Sequence, residues 1–138
     1  MKADAIFVDT NLFLRYLTND VPAQADAVEK LLRHAEQGKA GLVTNSMVIA
    51  EIVWTLESYY ELDHTEIQNK VLAILNTSGL EISDSNLILK AIIWYAEKNV
   101  DFIDAYNAAW MEQKKIEKIY TFDQKHFARF DDVEVIKP

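Results

Sequence analysis

The sequence predicts an α/β fold with a central, mostly parallel sheet flanked by helices on both faces. Short apolar runs, typical of strands, alternate with longer runs whose apolar residues recur at helical spacing. Strands that are apolar throughout are typical of parallel sheets, because both faces of such sheets are covered. The chain has 138 residues with only three glycines and two prolines, which leaves little room for long loops. We therefore expect one domain over residues 1–138.

Strand and helix signals alternate through the first half of the chain. Pro22 suits the first turn of a helix, where its missing N–H is not needed. Thr65, with Gln68 three residues later, resembles a capping box. The predicted elements are a strand over 4–8, a helix over 11–18, a helix from Pro22 to about Glu36, a strand over 42–44, a helix from Asn45 or Ser46 to about Tyr60, and a helix over 65–77.

The alternation continues to the carboxyl terminus. Leu87, Ala91, Trp94 and Tyr95 would share one face of a helix. The predicted elements are a strand over 80–83, a helix from Asp84 or Ser85 to about Lys98, a helix from about Ile103 to Lys115, a strand over 119–121, a helical turn between Asp123 and Phe130, and a strand over 133–136.

Composition narrows the chemistry available to the chain. It has no cysteine, which excludes disulfides, thiolate catalysis and cysteine-based zinc sites. Its histidines, His34, His64 and His126, lie among charged residues and are expected to face solvent, whereas Trp54, Trp94 and Trp110 are expected in the core. The amino terminus lacks a targeting pattern, and no apolar stretch approaches the ~20 residues of a spanning helix. A cytoplasmic protein without membrane contact is the expectation.

The net charge of −8 disfavours ordinary nucleic-acid binding. Binding to phosphates is dominated by lysine and arginine contacts, and this chain has more acids than bases. Carboxylates that hold a divalent cation are an exception, because the ion is then the largest local charge. The charge therefore weakens a nucleic-acid interpretation without excluding it.

Acidic residues stand where apolar segments end or turn. Asp9 closes the run Ala5–Val8, Glu51 interrupts the apolar segment 47–54, Asp104 lies within Phe102–Ala105, and Asp123 follows Ile119–Phe122. Burying a lone carboxylate costs several kcal/mol or forces it to bind a proton. Four such acids would be tolerated if they met at a cation. Hard oxygen ligands of this kind suit Mg²⁺ or Mn²⁺.

Fold geometry favours a meeting of these acids, but each acid has a structural alternative. In open α/β sheets the functional crevice lies outside the carboxyl ends of the strands, where Asp9 and Asp123 are predicted to lie. Asp104 falls in the first turn of a helix. Alternatively, Asp9 and Asp123 could simply cap the helices that follow them. Asp104 could be favoured merely by the dipole at the start of its helix, with Asp101 as the N-cap residue. Glu51 could simply face solvent.

Together these residues resemble the PIN domain, a metal-dependent nuclease fold, and in particular the VapC-type toxins of toxin–antitoxin pairs. The resemblance implies that Asp9, Glu51, Asp104 and Asp123 hold Mg²⁺ or Mn²⁺. It adds Asp101 as a further acid and Thr10, Asn11 and Thr121 as supporting polar residues. It rests on Val8-Asp9-Thr10-Asn11, on Thr44-Asn45-Ser46 leading to Ala50-Glu51, on Asp101-Phe102-Ile103-Asp104-Ala105, and on Thr121-Phe122-Asp123 followed by His126-Phe127.

The resemblance also implies an activity and partners. The expected activity is that of an endoribonuclease that cleaves unpaired RNA with metal-activated water. The expected partners are a second copy of the chain and an antitoxin whose helical tail lies along an apolar groove of the early helices, formed by Leu12, Phe13, Leu14, Tyr16 and Leu17. A catalytically inactive PIN scaffold that binds RNA or protein is one alternative. An aspartyl-phosphate phosphotransferase is another, although it would normally have an aspartate where Asn11 stands.

Overall fold

The structure is a computed structural model that describes residues 4–138. Contacts divide the chain into two compact units, residues 1–85 and residues 86–138. A single domain over 1–138 stays a prediction. The elements in chain order are β1 (Ile6–Phe7), α1 (Thr10–Thr18), α2 (Pro22–Glu36), β2 (Leu42–Thr44), α3 (Ser46–Ser58), α4 (His64–Leu75), β3 (Leu80–Ile82), α5 (Ser85–Glu97), α6 (Phe102–Gln113), β4 (Lys118–Tyr120), α7 (Gln124–Phe127) and β5 (Glu134–Ile136).

The first unit contains a parallel three-stranded sheet in the order β1-β2-β3. Ile6 pairs with Leu42, which in turn pairs with Leu80. The prediction of a buried strand over 4–8 was wrong in length and in burial, because β1 is an edge strand of this sheet. Ile6 is 61% exposed and Phe7 51%, while Val8, directly after the strand, is buried. The α/β class and the parallel pairing are confirmed.

Helices α1 to α4 bury their apolar residues in the first unit. Helix α1 packs against α2 and α3, and α3 packs against α4. The capping box of α4 was predicted two residues too late in the sequence: Asp63 and Glu66 form it, instead of Thr65 and Gln68. An aspartate is an equally good cap, and its choice moves the helix start to His64. The most buried apolar side chains of these helices include Phe13, Ile49, Ile52, Leu56, Ile67 and Val71.

Gly79 fixes the approach of β3 to α2. Its φ is +83°, and a Cβ at this position would lie 2.1 Å from the carbonyl oxygen of Ala35 in α2. The carbonyl of Gly79 accepts a hydrogen bond from the Leu42 N–H at 3.1 Å. A glycine is therefore required here both by backbone conformation and by space.

The second unit is built from helices α5, α6 and α7 with a two-stranded parallel sheet of β4 and β5. Trp94 of α5 meets the ring of Phe130 edge-on, with ring centroids 5.2 Å apart. The Arg129 guanidinium donates to the carbonyl of Lys98 at 2.9 Å and also to that of Asn99. These contacts attach the segment after α7 to the end of α5.

Two of the three tryptophans expected in the core are exposed. Trp54 is 69% exposed and Trp110 43%, so for them the prediction was wrong. Helical spacing with apolar neighbours does not say which side of a helix meets the core, because both helices are apolar over much of their circumference. In residues 4–138 no helix combines the length and the apolar character needed to cross a membrane.

Candidate metal centre

Three carboxylates surround one imidazole nitrogen in the second unit. The Nδ1 atom of His126 lies 3.2 Å from Asp104 Oδ2, 3.3 Å from Asp123 Oδ2 and 3.6 Å from Asp101 Oδ2. One donor atom from each of these residues lies within 4.8 Å of the others. Asp101, Asp104, Asp123 and His126 thus form one group, the Asp–His cluster.

The starts of two helices bring the cluster together. Asp101 directly precedes α6, and Asp104 lies in its first turn, so the three-residue spacing puts both acids on one side of the helix. Asp123 directly precedes α7, and its Oδ1 accepts the backbone N–H of His126 at 3.2 Å. Thr121 accepts the Asp123 N–H on its hydroxyl at 3.0 Å. Local turns thus fix the backbone of both Asp123 and His126.

Capping of a helix accounts for only one carboxylate oxygen of these aspartates, Oδ1 of Asp123. Asp101 occupies the N-cap position of α6 but makes no capping hydrogen bond, and its Oδ2 lies instead near the imidazole. Asp9 is at the N-cap position of α1 and also makes no capping hydrogen bond. Asp123 does cap α7, but only with Oδ1, which leaves Oδ2 directed at His126. Most of the carboxylate oxygens of these acids therefore take no part in capping a helix.

The pKa values of Asp104 and Asp123 are shifted in opposite directions. Burial raises the pKa of Asp104, whose side chain is 19% exposed, and the neighbouring Asp123 carboxylate raises it further, although the hydrogen bond with His126 opposes the rise. The backbone N–H of His126 lowers the pKa of Asp123, a more open carboxylate at 41% exposure. Crowded carboxylates resist simultaneous ionisation unless a cation lies beside them. The cluster is thus a place where a cation would be stabilised.

The donor set fits a six-coordinate divalent cation. Bonds of about 2.1 Å in octahedral geometry put adjacent ligand atoms about 3 Å apart and opposite ones about 4 Å apart. The separations between His126 Nδ1 and the three carboxylate oxygens, 3.2 to 3.6 Å, are close to the adjacent spacing. The carboxylates are suitable ligands for Mg²⁺ or Mn²⁺, and the imidazole nitrogen adds a donor of the kind that transition metals accept.

Two threonines position the acids of the first unit. Thr10 is 4% exposed, and its hydroxyl donates to Glu51 Oε1, which joins the start of α1 to α3. The buried hydroxyl of Thr44 donates to the carbonyl of Val8 at 2.9 Å and so fixes the residue before Asp9. Asn45 caps α3 by accepting the Val48 N–H at 3.1 Å. One buried hydroxyl thus contacts Glu51 directly, and another holds the backbone just before Asp9.

Glu51 is exposed to solvent, although apolar residues precede and follow it in the sequence. The exposed side of α3 includes Met47, at 76%, and Trp54, at 69%, one turn before and one turn after Glu51. Asp9 and Asn11 are also exposed. Glu51 is therefore accessible to solvent, its place in the site stays a prediction, and the Thr10 hydroxyl gives the glutamate a fixed orientation at the surface.

Of the four acids predicted to meet, Asp104 and Asp123 lie together in the second unit, with Asp101 beside them. Asp9 and Glu51 belong to the first unit, and their meeting with the other pair stays a prediction. Sequence reasoning missed His126, which was expected to face solvent. The available signal was its position three residues after Asp123 in a short helix, which directs its ring towards that acid.

Most of this chain is similar to known proteins. The family described as "PIN domain" matches residues 6–133. A VapC ribonuclease of Aquifex aeolicus (strain VF5) is 23% identical over 118 residues, covering 86% of this chain and 87% of the relative. A crystal structure of Mycobacterium tuberculosis VapC20, titled a sarcin-ricin loop cleaving toxin, aligns with a TM-score of 0.40 and 22% identity, covering 92% of this chain and 97% of that chain.

Proposed function

This chain belongs to the PIN domain family, and we propose that it is a Mg²⁺- or Mn²⁺-dependent endoribonuclease, the toxin of a type II toxin–antitoxin pair. The Asp–His cluster is the observation on which the proposal depends, because it offers four donor atoms within 4.8 Å of one another. The similarity to a VapC ribonuclease over most of both chains supports the same activity.

We propose a separate role in binding the cation or in catalysis for each residue of the site. Asp104 and Asp123 would hold the cation, and we propose that Asp9 and Glu51 complete the site, with Asp101 as a further acid. A divalent cation supplies charge stabilisation at a phosphate and lowers the pKa of water. Glu51, oriented by the Thr10 hydroxyl, would accept the proton of the attacking water. Thr121 would keep Asp123 in place through its backbone N–H.

Unpaired RNA suits an acidic, open site. A single strand can bend its backbone so that one phosphate reaches the cation, whereas the backbone of an RNA duplex is held in the A-form helix. The net charge of −8 makes the cation the main attraction for phosphate. We therefore propose cleavage of single-stranded RNA segments.

We also propose an antitoxin partner and a homodimer. Two of the residues expected to line the antitoxin groove, Phe13 and Leu14, are buried in the core and cannot line it. A cavity of about 370 Å³ lies between α1 and α2 and is lined by Asn11, Leu12, Arg15, Gln24, Ala27, Val28 and Leu31. Its apolar lining suits one face of an amphipathic helix. The dimer is carried over from the family resemblance.

The proposed activity is tested by the variants Asp9→Asn and Asp104→Asn in cleavage of a single-stranded RNA with Mg²⁺ or Mn²⁺. Each variant should lower the rate by at least about 100-fold, because a neutral amide holds a cation poorly. Asp132→Asn is the matched control, since Asp132 is an exposed aspartate outside the cluster. Undiminished cleavage by both variants would show that the proposed mechanism is wrong.

A further inference from the structure

His126 occupies the position of a ligand in the Asp–His cluster. Its Nδ1 is the only nitrogen among the cluster's donor atoms, and three carboxylate oxygens lie 3.2 to 3.6 Å from it. A protonated Nδ1 has one hydrogen and could donate a good hydrogen bond to one of these oxygens. The other two carboxylates would then lie next to each other without a hydrogen bond from the ring. One cation in contact with all four atoms satisfies the whole group.

The backbone around His126 restricts where its ring can go. Its N–H is bound to Asp123 Oδ1, and the next residue, Phe127, is 3% exposed. The side chain of His126 is itself only 21% exposed. Holding a ring in one place through its own backbone and a buried neighbour is the pre-organisation that metal ligands require.

We propose that His126 Nδ1 binds the divalent cation directly and gives the site a preference for Mn²⁺ over Mg²⁺. The proposal rests on the proposed metal-dependent function and deepens it. Mg²⁺ is bound mainly by oxygen, whereas imidazole nitrogen is a ligand for transition metals. Mn²⁺ accepts the three carboxylates as readily as Mg²⁺ does, and it gains more from the added nitrogen. Three acids and one histidine therefore select the softer of the two ions.

The direct test detects the nitrogen itself. Mn²⁺ alone, without RNA, is added to protein labelled with ¹⁵N at histidine, and the electron spin echo is measured. We expect ¹⁵N coupling of the size given by a directly bound imidazole. The coupling should disappear in His126→Gln and persist in His34→Gln, a matched control at an exposed histidine of α2. Bound Mn²⁺ without this coupling in the wild-type protein would overturn the proposal, and this measurement does not depend on how any variant folds.

Calorimetry with each ion tests the stated preference. His126→Gln should weaken Mn²⁺ binding by at least about tenfold and Mg²⁺ binding by a clearly smaller factor. Equal losses for the two ions would overturn the preference. Circular dichroism of the ion-free variants, compared with the wild type, identifies any loss due to misfolding.

The two proposals fail in different ways. If Mn²⁺ binds without nitrogen coupling while Asp104→Asn still abolishes RNA cleavage, the ligand role of His126 is wrong and the nuclease remains. If the wild-type protein binds neither ion and cleaves no RNA, both proposals are wrong. Nitrogen coupling with no cleavage of any single-stranded RNA would support the ligand role and remove the proposed activity.

Discussion

The hydroxyl of Thr10, at the first residue of α1, donates a hydrogen bond to Glu51 Oε1 in α3. Thr10 is buried, whereas Glu51 is exposed, so a buried donor orients a carboxylate at the surface. This contact explains why a glutamate within an otherwise apolar segment has a defined orientation. It also gives Thr10 a role beyond that of starting a helix.

Thr10→Val should therefore lower catalysis more than stability. Valine keeps the branched shape of the buried side chain but removes the donor, so Glu51 loses its fixed orientation. We expect the kcat for RNA cleavage to fall by about tenfold with KM little changed. Thr10→Ser, which keeps the hydroxyl, should restore most of the rate. A valine variant with wild-type kcat would show that this hydrogen bond does not serve catalysis.

The Thr44 hydroxyl should contribute measurably to stability. It is buried and donates to the Val8 carbonyl at 2.9 Å, across the β1-β2 pair. Thr44→Val leaves that carbonyl without its donor at similar volume, and we expect the free energy of unfolding to fall by about 1–2 kcal/mol. Urea denaturation measures the change. Thr44→Ser is the control that keeps the donor, and an unchanged midpoint for Thr44→Val would contradict the expectation.

The order of the elements could be predicted from the sequence because local signals are strong. Pro22 does begin α2, and Asn45 does cap α3, both by chemistry contained within a few residues. The capping box of α4 was misplaced because Asp63 and Thr65 are competing caps of similar strength. The burial of β1 was misjudged because an edge position depends on pairing with distant strands, which an apolar run does not reveal.

The candidate site, too, could be predicted only as far as local sequence signals reach. Each acid could be found individually, since a carboxylate beside apolar residues is conspicuous in a sequence. His126 was missed, because its neighbours Lys125 and Arg129 are typical of a segment that faces solvent. Only the folded α6 and α7 bring its ring to Asp104, twenty-two residues away in sequence.

Tyr60 and Asp20 form a contact whose effect should depend on pH. The Tyr60 hydroxyl donates to Asp20 Oδ2 at 2.6 Å, and this bond lowers the pKa of Asp20 below its ordinary value of 3.8, with further help from Thr18 and Arg15. A lowered pKa means that the ionised acid stabilises the folded state. That stabilisation is present above the ordinary pKa and is lost as the pH falls through the lowered one.

We therefore expect Tyr60→Phe to be less stable than the wild type at neutral pH, with the difference disappearing as the pH falls through the lowered pKa of Asp20. Carbon-detected NMR titration should show the pKa of Asp20 rising towards 3.8 in the variant. Tyr59→Phe is the matched control, because Tyr59 is the adjacent tyrosine and is 76% exposed. An Asp20 pKa that stays equally low in Tyr60→Phe would show that other groups hold it down.

Gly79 and Gly38 offer a matched pair for separating backbone strain from steric clash. Both have positive φ, +83° and +75°, but a Cβ at Gly38 meets nothing within 4 Å, whereas one at Gly79 lies 2.1 Å from the Ala35 carbonyl oxygen. Gly38→Ala should lower the free energy of unfolding by about 1 kcal/mol, the cost of a left-handed conformation for alanine. Gly79→Ala adds a clash with backbone that has no flexible side chain to move, and we expect a loss of about 3 kcal/mol or more. Thermal and urea unfolding of the two variants measure the difference directly. Equal losses would mean that α2 can move away from β3 at little cost, which the close contact at Ala35 argues against.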